Sequence, residues 1–180
     1  ETPTSPDKVH FEDLEIGRIV PFGRISVTQE DIVTFARAYD PQLMHLDEEA
    51  AKASFVGQLC ASGFHSCAIF MRMLVDGLLR DRWATLGAPG IDESKWLKPL
   101  LPNQELSGRV VCTEKRLLGS RPEAGVATLT YEMLNQAGDV IMVWTGKMFF
   151  KVRNPGPKSE SPGGSRTKLE SLFDAEGPEP

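Results

Sequence analysis

The chain has 180 residues, of which 41% are hydrophobic and 25% are charged. This balance is typical of a soluble globular protein, and the length predicts one domain that buries its own core. The formal net charge of -5 argues against a general nucleic-acid or anionic-membrane binder.

Compartment signals also exclude several classes of protein. The longest apolar stretch, 64–75, is too short and too polar to span a bilayer, and residues 1–10 lack the order of a signal peptide. The three cysteines include no CxxC pair, so neither a disulfide framework nor a cysteine zinc site is expected. We therefore expect a cytoplasmic protein without a metal.

The first half of the chain predicts one strand and three helices. Residues 19–27 have the pattern of a strand, and Thr28 is the N-cap of a helix that ends before Pro41. Asp47 caps a second, short helix over 48–54. Residues 64–79 then carry apolar side chains on nearly every helical face, which predicts a central helix enclosed on most sides.

The second half predicts a loop followed by a sheet. Residues 84–104 contain several glycines and prolines and have the composition of a loop, with Trp96 as an apolar anchor. Long strands are predicted at 105–117, 124–134 and 139–152, with a hairpin turn at 135–138. Long antiparallel strands with one buried face are expected to wrap around the central helix.

Composition changes after Arg153, which predicts a domain over 1–153 and a tail over 154–180 rich in proline and glycine. Thr167 and Glu170 form a capping-box pattern ahead of apolar residues on one helical face. A short helix at 167–176 is one interpretation of this segment, and a frayed turn is the other.

The segment between the first two helices carries the residues that are candidates for catalysis. Asp40 and His45 lie on one short link, whose apolar residues can anchor it by burial. A carboxylate and an imidazole held in this way can share one water molecule, which general acid–base catalysis requires. Spacing alone leaves open a turn-forming Asp40 and a hydrogen-bonded loop His45.

The same link resembles the signature of the MaoC-like, (R)-specific enoyl-CoA hydratases, Asp-x-Asn-Pro-hydrophobic-His. Residues 40–45 read Asp-Pro-Gln-Leu-Met-His, with Gln42 in place of Asn and Leu43 in place of Pro. The segments Phe11-x-Asp-Leu-x-x-Gly17, Phe35-Ala36 and Ala61-Ser-Gly-Phe64 also match in type and order. The similarity covers roughly residues 10–153.

This resemblance implies an α+β hot-dog fold, in which an antiparallel sheet curves around one long helix. It also implies a homodimer or a dimer of dimers, with active sites near the subunit interface. The implied reaction is the reversible addition of water to a 2-enoyl-CoA thioester, with coenzyme A as part of the substrate and no other cofactor. Asp40 would be the base, His45 its partner in proton delivery, and the Gly63 backbone N–H the donor to the thioester oxygen.

Other residues are candidates for substrate binding, and each has a structural alternative. Ser62 also suits the N-cap of the central helix, and His65 also suits a packed position within it. A basic turn around Arg121, with Lys115 as a neighbour, or Lys98 elsewhere, can receive the phosphates of coenzyme A. The substrate-binding candidates are Gln42, Ser62, Phe64, His65 and Arg121.

Two alternative functions stay open at this point. A hot-dog thioesterase would use the same helix end but would release a free thiol. A non-catalytic acyl-thioester binding module would account for Gln42 and Leu43, where the signature departs from the family pattern.

Overall fold

The computed structural model describes residues 8–157. The strands are β1 (Ile19–Val27), β2 (Thr85–Trp96), β3 (Gln104–Leu118), β4 (Arg121–Leu134) and β5 (Val140–Lys151). The α-helices are α1 (Gln29–Tyr39), α2 (Glu48–Lys52) and α3 (Gly63–Leu74). Short 3₁₀ turns occur at Phe11–Asp13 and Leu43–His45, and one π-helical turn, Val75–Leu79, extends α3.

The five strands form one antiparallel sheet in the order β1-β3-β4-β5-β2, and α3 packs against one of its faces. This is the predicted α+β arrangement of a sheet around a central helix. The predicted turn between β4 and β5 is also present, because the Gly138 N–H donates to the Asn135 carbonyl. Where α3 continues into the π turn, Gly77 lies against the backbone of Gly23, and a Cβ there would approach Gly23 N to 2.8 Å.

The core lies between α3 and the sheet. On β4, alternate residues such as Leu129 and Met133 are buried, while Thr130 and Glu132 between them are only partly covered. Phe70 of α3 packs with Trp144 of β5, with ring centroids 5.1 Å apart. Side chains alternate between the two faces of a strand, so one face of β4 and β5 packs against α3, as the sequence predicts.

The surroundings of α3 differ from the prediction. The helix buries one broad face, which includes Ile69, Phe70 and Met73. Phe64 and Met71, however, are 71% and 44% exposed, and Ala68 between them is exposed as well. Residues 8–157 thus leave an apolar stripe of α3 uncovered, so the expectation of a helix enclosed on most sides is wrong for this part of the chain.

The segment predicted as a loop at 84–104 contains a strand. β2 pairs with β5 along Thr85–Trp96, with register shifts around Gly87, Gly90 and Ile91. Nearly all of its residues are exposed, and among residues 8–157 it pairs with β5 alone, at the edge of the sheet. Its glycines and its proline are compatible with such an irregular edge, where one side of the backbone makes no ladder.

The predicted tail lies almost entirely outside the described residues, and so does the interpretation of 167–176 as a helix. The strand pairing ends at Lys151. Among residues 8–157, no helix is long and apolar enough to cross a membrane.

Candidate active site

The link that carries Asp40 and His45 folds as a tight turn between α1 and α2. Asp40 is the C-cap of α1, with φ -150° and ψ 71°, because the following Pro41 disfavours helical backbone there. The Gln42 N–H donates to the Asp40 carbonyl at 2.8 Å, and the His45 N–H donates to the Gln42 carbonyl at 2.9 Å. These backbone bonds return His45 toward Asp40.

His45 is buried and its ring orientation is fixed by the backbone. The Nδ1 atom lies 2.7 Å from the carbonyl oxygen of Cys60, so Nδ1 carries the proton and donates it. In the neutral ring, Nε2 is then an acceptor, and it lies 3.6 Å from Oδ2 of Asp40. The side chains of His45 and Asp40 are 7% and 21% exposed, so the imidazole is enclosed while the carboxylate reaches solvent.

Asp40 is held as a carboxylate by two neutral donors. The Ser62 hydroxyl and the Gln42 side chain hydrogen-bond to it and lower its pKa, with the Ser62 bond the larger cause. The Gln42 amide contacts Oδ1 at 2.7 Å, while Oδ2 is the oxygen nearest His45. The carboxylate therefore stays ionised at neutral pH and presents one oxygen to the imidazole.

Ser62 also connects the carboxylate to the beginning of α3. It is the N-cap of this helix, and its buried hydroxyl oxygen accepts from the Phe64 N–H at 3.3 Å. The Gly63 N–H lies in the first turn, where an α-helix offers no internal acceptor, and no described residue accepts from it. The positive end of the helix and this N–H thus lie close to Asp40.

Gly63 is required for a contact that the sequence does not reveal. A Cβ at this position would lie 2.8 Å from Cε2 of Trp96, and the Trp96 Nε1–H donates to the Gly63 carbonyl at 3.0 Å. The side of Gly63 that lacks a Cβ is therefore filled by the indole. That side is closed to a substrate, although the Gly63 N–H stays available.

A cavity of about 480 Å³ is lined by Asp40, Ser62 and Gly63; His45 does not line it, although its Nε2 lies 3.6 Å from the Asp40 carboxylate. Its inner wall includes Asp40 with the buried residues Cys60, Ser62 and Leu100. Its rim consists of large apolar residues that are largely exposed, namely Phe55, Phe64, Trp96 and Leu97. This volume and this apolar lining with few polar groups are typical of a small-molecule site.

His65 does not line this cavity, contrary to its assignment as a substrate-binding residue. Its ring stacks on Phe35 of α1, with centroids 4.4 Å apart and an angle of 7° between the planes. It is 7% exposed, and its Nδ1 has no hydrogen-bond partner among the described residues. Burial lowers the His65 pKa, and the charge of Asp31 opposes this only in part. The packed alternative is therefore the one observed.

The basic residues considered for phosphate binding lie in different parts of the structure. Lys98 lines the cavity and pairs with Asp139 at 2.9 Å. Arg121 lies at the other end of the sheet, since Trp96 pairs near the start of β5 and the residues that follow Arg121 pair with its end. Within one chain Arg121 does not join the site, so its assignment to substrate binding is not supported there.

Lys115, the neighbour of Arg121 in the predicted basic turn, has a structural role. Its ammonium donates to the carbonyl oxygens of Phe11, Glu12 and Leu14 at 3.1, 3.3 and 2.6 Å. It therefore fixes the N-terminal segment to β3. Among residues 8–157, no group of three or more His, Cys, Asp and Glu side chains could hold a metal ion.

Comparisons with known proteins agree with this fold. A family model described as MaoC like domain matches residues 13–132. The chain belongs to the MaoC-like dehydratase family, whose hot-dog architecture it shares. It is 29% identical over 127 residues to the uncharacterized protein YdeM of Bacillus subtilis, which covers 70% of this chain and 87% of YdeM.

Two solved structures extend the comparison. A MaoC-like dehydratase from Rhodospirillum rubrum has 36% sequence identity and a TM-score of 0.75, over 81% of this chain and 99% of that one. The R-hydratase PhaJ1 from Pseudomonas aeruginosa has 18% identity and a TM-score of 0.61, over 87% and 97%. At that identity PhaJ1 shares the fold, and its activity remains a property of that protein.

Sequence reasoning missed two parts of the site. The first is the Cys60 carbonyl, which selects the His45 tautomer; a backbone oxygen leaves no residue-type signal. The second is Trp96, which sequence reasoning treated as a loop anchor. Its contact with Gly63 depends on β2 lying at the sheet edge beside the start of α3, and the composition of 84–104 conceals that strand.

Proposed function

We propose that this protein is a hydratase/dehydratase that adds water reversibly across the double bond of a 2-enoyl-CoA thioester to give a 3-hydroxyacyl-CoA. One observation carries the proposal: Asp40, which lines an apolar cavity together with the first turn of α3, lies 3.6 Å from the buried His45. Membership of the MaoC-like dehydratase family supports it.

The tautomer of His45 explains how the pair would hold water. Nε2 of the neutral ring and Oδ2 of the Asp40 carboxylate are both acceptors, so neither donates to the other. A water molecule has two O–H donors and can donate one to each. Its oxygen lone pairs would then be directed at the substrate, which is the arrangement that activates water for attack.

The addition would then proceed with all atoms accounted for. The water oxygen forms a bond to Cβ while Asp40 accepts its proton, and the electron pair of the double bond moves toward the thioester carbonyl. The Gly63 N–H donates to the developing oxyanion, an interaction typically worth about 3–4 kcal/mol. The proton passes from Asp40 to His45 and then to Cα, which restores the carbonyl and regenerates both residues.

Lys98 is the side chain best placed to meet an anion of the coenzyme. It lies on the cavity wall and is 51% exposed in its pair with Asp139. A phosphate of coenzyme A could compete for this ammonium without displacing any residue from the core. This assignment replaces Arg121 as the phosphate contact within one chain.

The active form in this proposal is a homodimer. In the described part of the chain β2 has an unpaired edge, and next to it α3 exposes the apolar stripe that includes Phe64 and Met71. Ile91 on the same edge is 51% exposed. A second copy related by a twofold axis would cover both features, because an isologous interface pairs each surface with itself. Sedimentation velocity should give about twice the chain mass, and a monomer at all concentrations would contradict this part of the proposal.

The cytoplasm is the compartment expected for this activity. Cys60, Cys67 and Cys112 are all free thiols, which is compatible with a reducing environment.

Replacement of Asp40 by Asn tests the reaction directly. The substitution keeps the shape but removes the base, so hydration of a short 2-enoyl-CoA should fall by about 10²-fold or more. Asp47→Asn is the matched control, because it makes the same change on the same link and Asn is an equally good N-cap. Full turnover in a folded Asp40→Asn protein would refute the assignment.

The same assay separates the alternative functions. Loss of enoyl absorbance without free thiol marks a hydratase, whereas release of thiol without hydration marks a thioesterase. Tight acyl-CoA binding with neither reaction would indicate a binding module.

A further inference from the structure

Trp96 is anchored at the rim of the cavity by the backbone pairing of β2 and by two contacts of its indole. The residue ends β2 and pairs with Met142 of β5. Its Nε1–H donates to the Gly63 carbonyl at 3.0 Å, and the Phe64 ring meets it edge-on with centroids 6.3 Å apart. The chain after it is also fixed, since the Leu97 N–H donates to the Ile141 carbonyl at 2.8 Å.

These contacts distinguish Trp96 from the other large apolar residues of the rim. Trp96 is 48% exposed, whereas the exposure of the other three ranges from 55% for Leu97 to 106% for Phe55. Because a Cβ on Gly63 would lie 2.8 Å from the indole, the ring cannot move closer to α3. Trp96 is thus the most firmly held residue of the rim, whereas Phe55 is fully exposed.

We propose that Trp96 determines specificity by limiting the length of the acyl group that the cavity accepts. The proposal rests on the proposed function and adds its substrate class, short-chain 2-enoyl thioesters. A double bond that reacts at Asp40 lies at the inner wall, and an acyl chain that extends toward the rim beside the first turn of α3 meets the fixed indole. Each further methylene must then displace a ring that is held by a hydrogen bond to Gly63 and by packing against Phe64.

The test compares chain lengths in matched variants. We expect Trp96→Ala to raise the ratio of kcat/KM for 2-octenoyl-CoA to that for 2-butenoyl-CoA by about 10-fold or more, the range that a few methylenes contribute in an apolar pocket. Trp96→Phe, which keeps a ring but loses the hydrogen bond to Gly63, should change the ratio less. Gly63→Ala should also change the ratio, because the added Cβ displaces the indole.

Leu86→Ala is the control for general effects on the strand. Leu86 lies on β2, is 44% exposed and does not line the cavity, so the ratio should stay at the wild-type value. The ratio cancels losses common to both substrates, including any effect on the oxyanion donor in Gly63→Ala. An unchanged ratio in Trp96→Ala, or in Trp96→Phe and Gly63→Ala if Trp96→Ala does not fold, would overturn the proposal.

A binding measurement separates this proposal from the proposed function. Trp83 and Trp144 are each 4% exposed, so acrylamide quenching of wild-type fluorescence reports mainly on Trp96. Saturated butyryl-CoA and octanoyl-CoA should protect the wild type from quenching and have no such effect on Trp96→Phe. Protection in a protein that hydrates no enoyl-CoA would refute the hydratase while supporting Trp96 as a wall of the acyl site. Turnover without protection would refute the role of Trp96.

Discussion

Two buried histidines lie on neighbouring elements and are held in different ways. His45, on the link after α1, is 5% exposed and donates from Nδ1 to the Cys60 carbonyl. His65, in the first turn of α3, is 7% exposed, and its Nδ1 has no partner among the described residues. Similar burial therefore gives one imidazole with a fixed tautomer beside a carboxylate and another that acts as an aromatic packing residue. The hydrogen-bond partner decides which of them suits proton transfer.

The largest expected effect on activity follows from removal of the His45 imidazole. His45→Ala should lower kcat/KM for hydration by about 10²–10⁴-fold, because the residue that orients the water and relays the proton to Cα is lost. His65→Ala, the same change in the packed histidine, should cost less than about tenfold. Steady-state assays on both folded variants provide the comparison, and similar losses in the two would remove the distinction between them.

A smaller effect on hydration is expected from Gln42, an exposed residue that contacts the Asp40 carboxylate. Gln42→Ala removes the amide that contacts Oδ1 of Asp40, so the Asp40 pKa should rise toward its ordinary value. Because water can replace an exposed amide, hydration at neutral pH should fall only about 2–10-fold. The acid limb of the pH–rate profile should move to higher pH, and an unmoved limb would show that Gln42 does not act on Asp40.

The smallest expected effect is on how the Tm depends on pH, and it comes from the packed histidine, His65. The lowered pKa of His65 means that the folded state binds fewer protons there than the unfolded state below pH 6.5. This contribution to stability is present above pH 6.5 and is lost as the pH falls through the lowered value. His65→Phe keeps the stack on Phe35 without a titrating group, so its Tm should decline less between pH 7 and pH 5.

At pH 7.5 the Tm of His65→Phe should differ from that of the wild type by less than about 3 °C, since a 1 kcal/mol change corresponds to about 2–4 °C at this size. Asp31, the charged group that acts on His65, itself has a lowered pKa and stays ionised throughout this range. A parallel decline in both proteins would show that His65 does not titrate in this range.

The sequence predicts those parts of the molecule whose pattern follows burial. β1 and α1 lie where the sequence places them, and β4 and β5 agree closely, since their alternating residues face the helix. β2 was missed because an exposed edge strand needs backbone pairing but no apolar alternation. Its register shifts accommodate the glycines that indicated a loop.

The candidate site, like the fold, could be predicted only in part from the sequence. Asp40 and His45 come together because the link between them is short, and Ser62 lies beside Asp40 because it caps the helix that the fold places there. Long-range partners were not predictable, since Cys60 acts through a carbonyl and Trp96 meets Gly63 only once the sheet is complete. The sequence could not distinguish His65 from a site residue, because the direction in which its side chain points depends on how α1 packs on α3.

The buried hydroxyl of Ser62 has a consequence for how this protein could diversify. It hydrogen-bonds to Asp40 and also accepts from the Phe64 N–H, so the groups that would activate water and stabilise the oxyanion are physically coupled. The rim residues Phe55 and Leu97 belong to separate stretches of chain and take no part in that coupling. Mutation could therefore remodel what the protein accepts while leaving its chemistry intact, a separation that favours the evolution of new preferences from one ancestral scaffold.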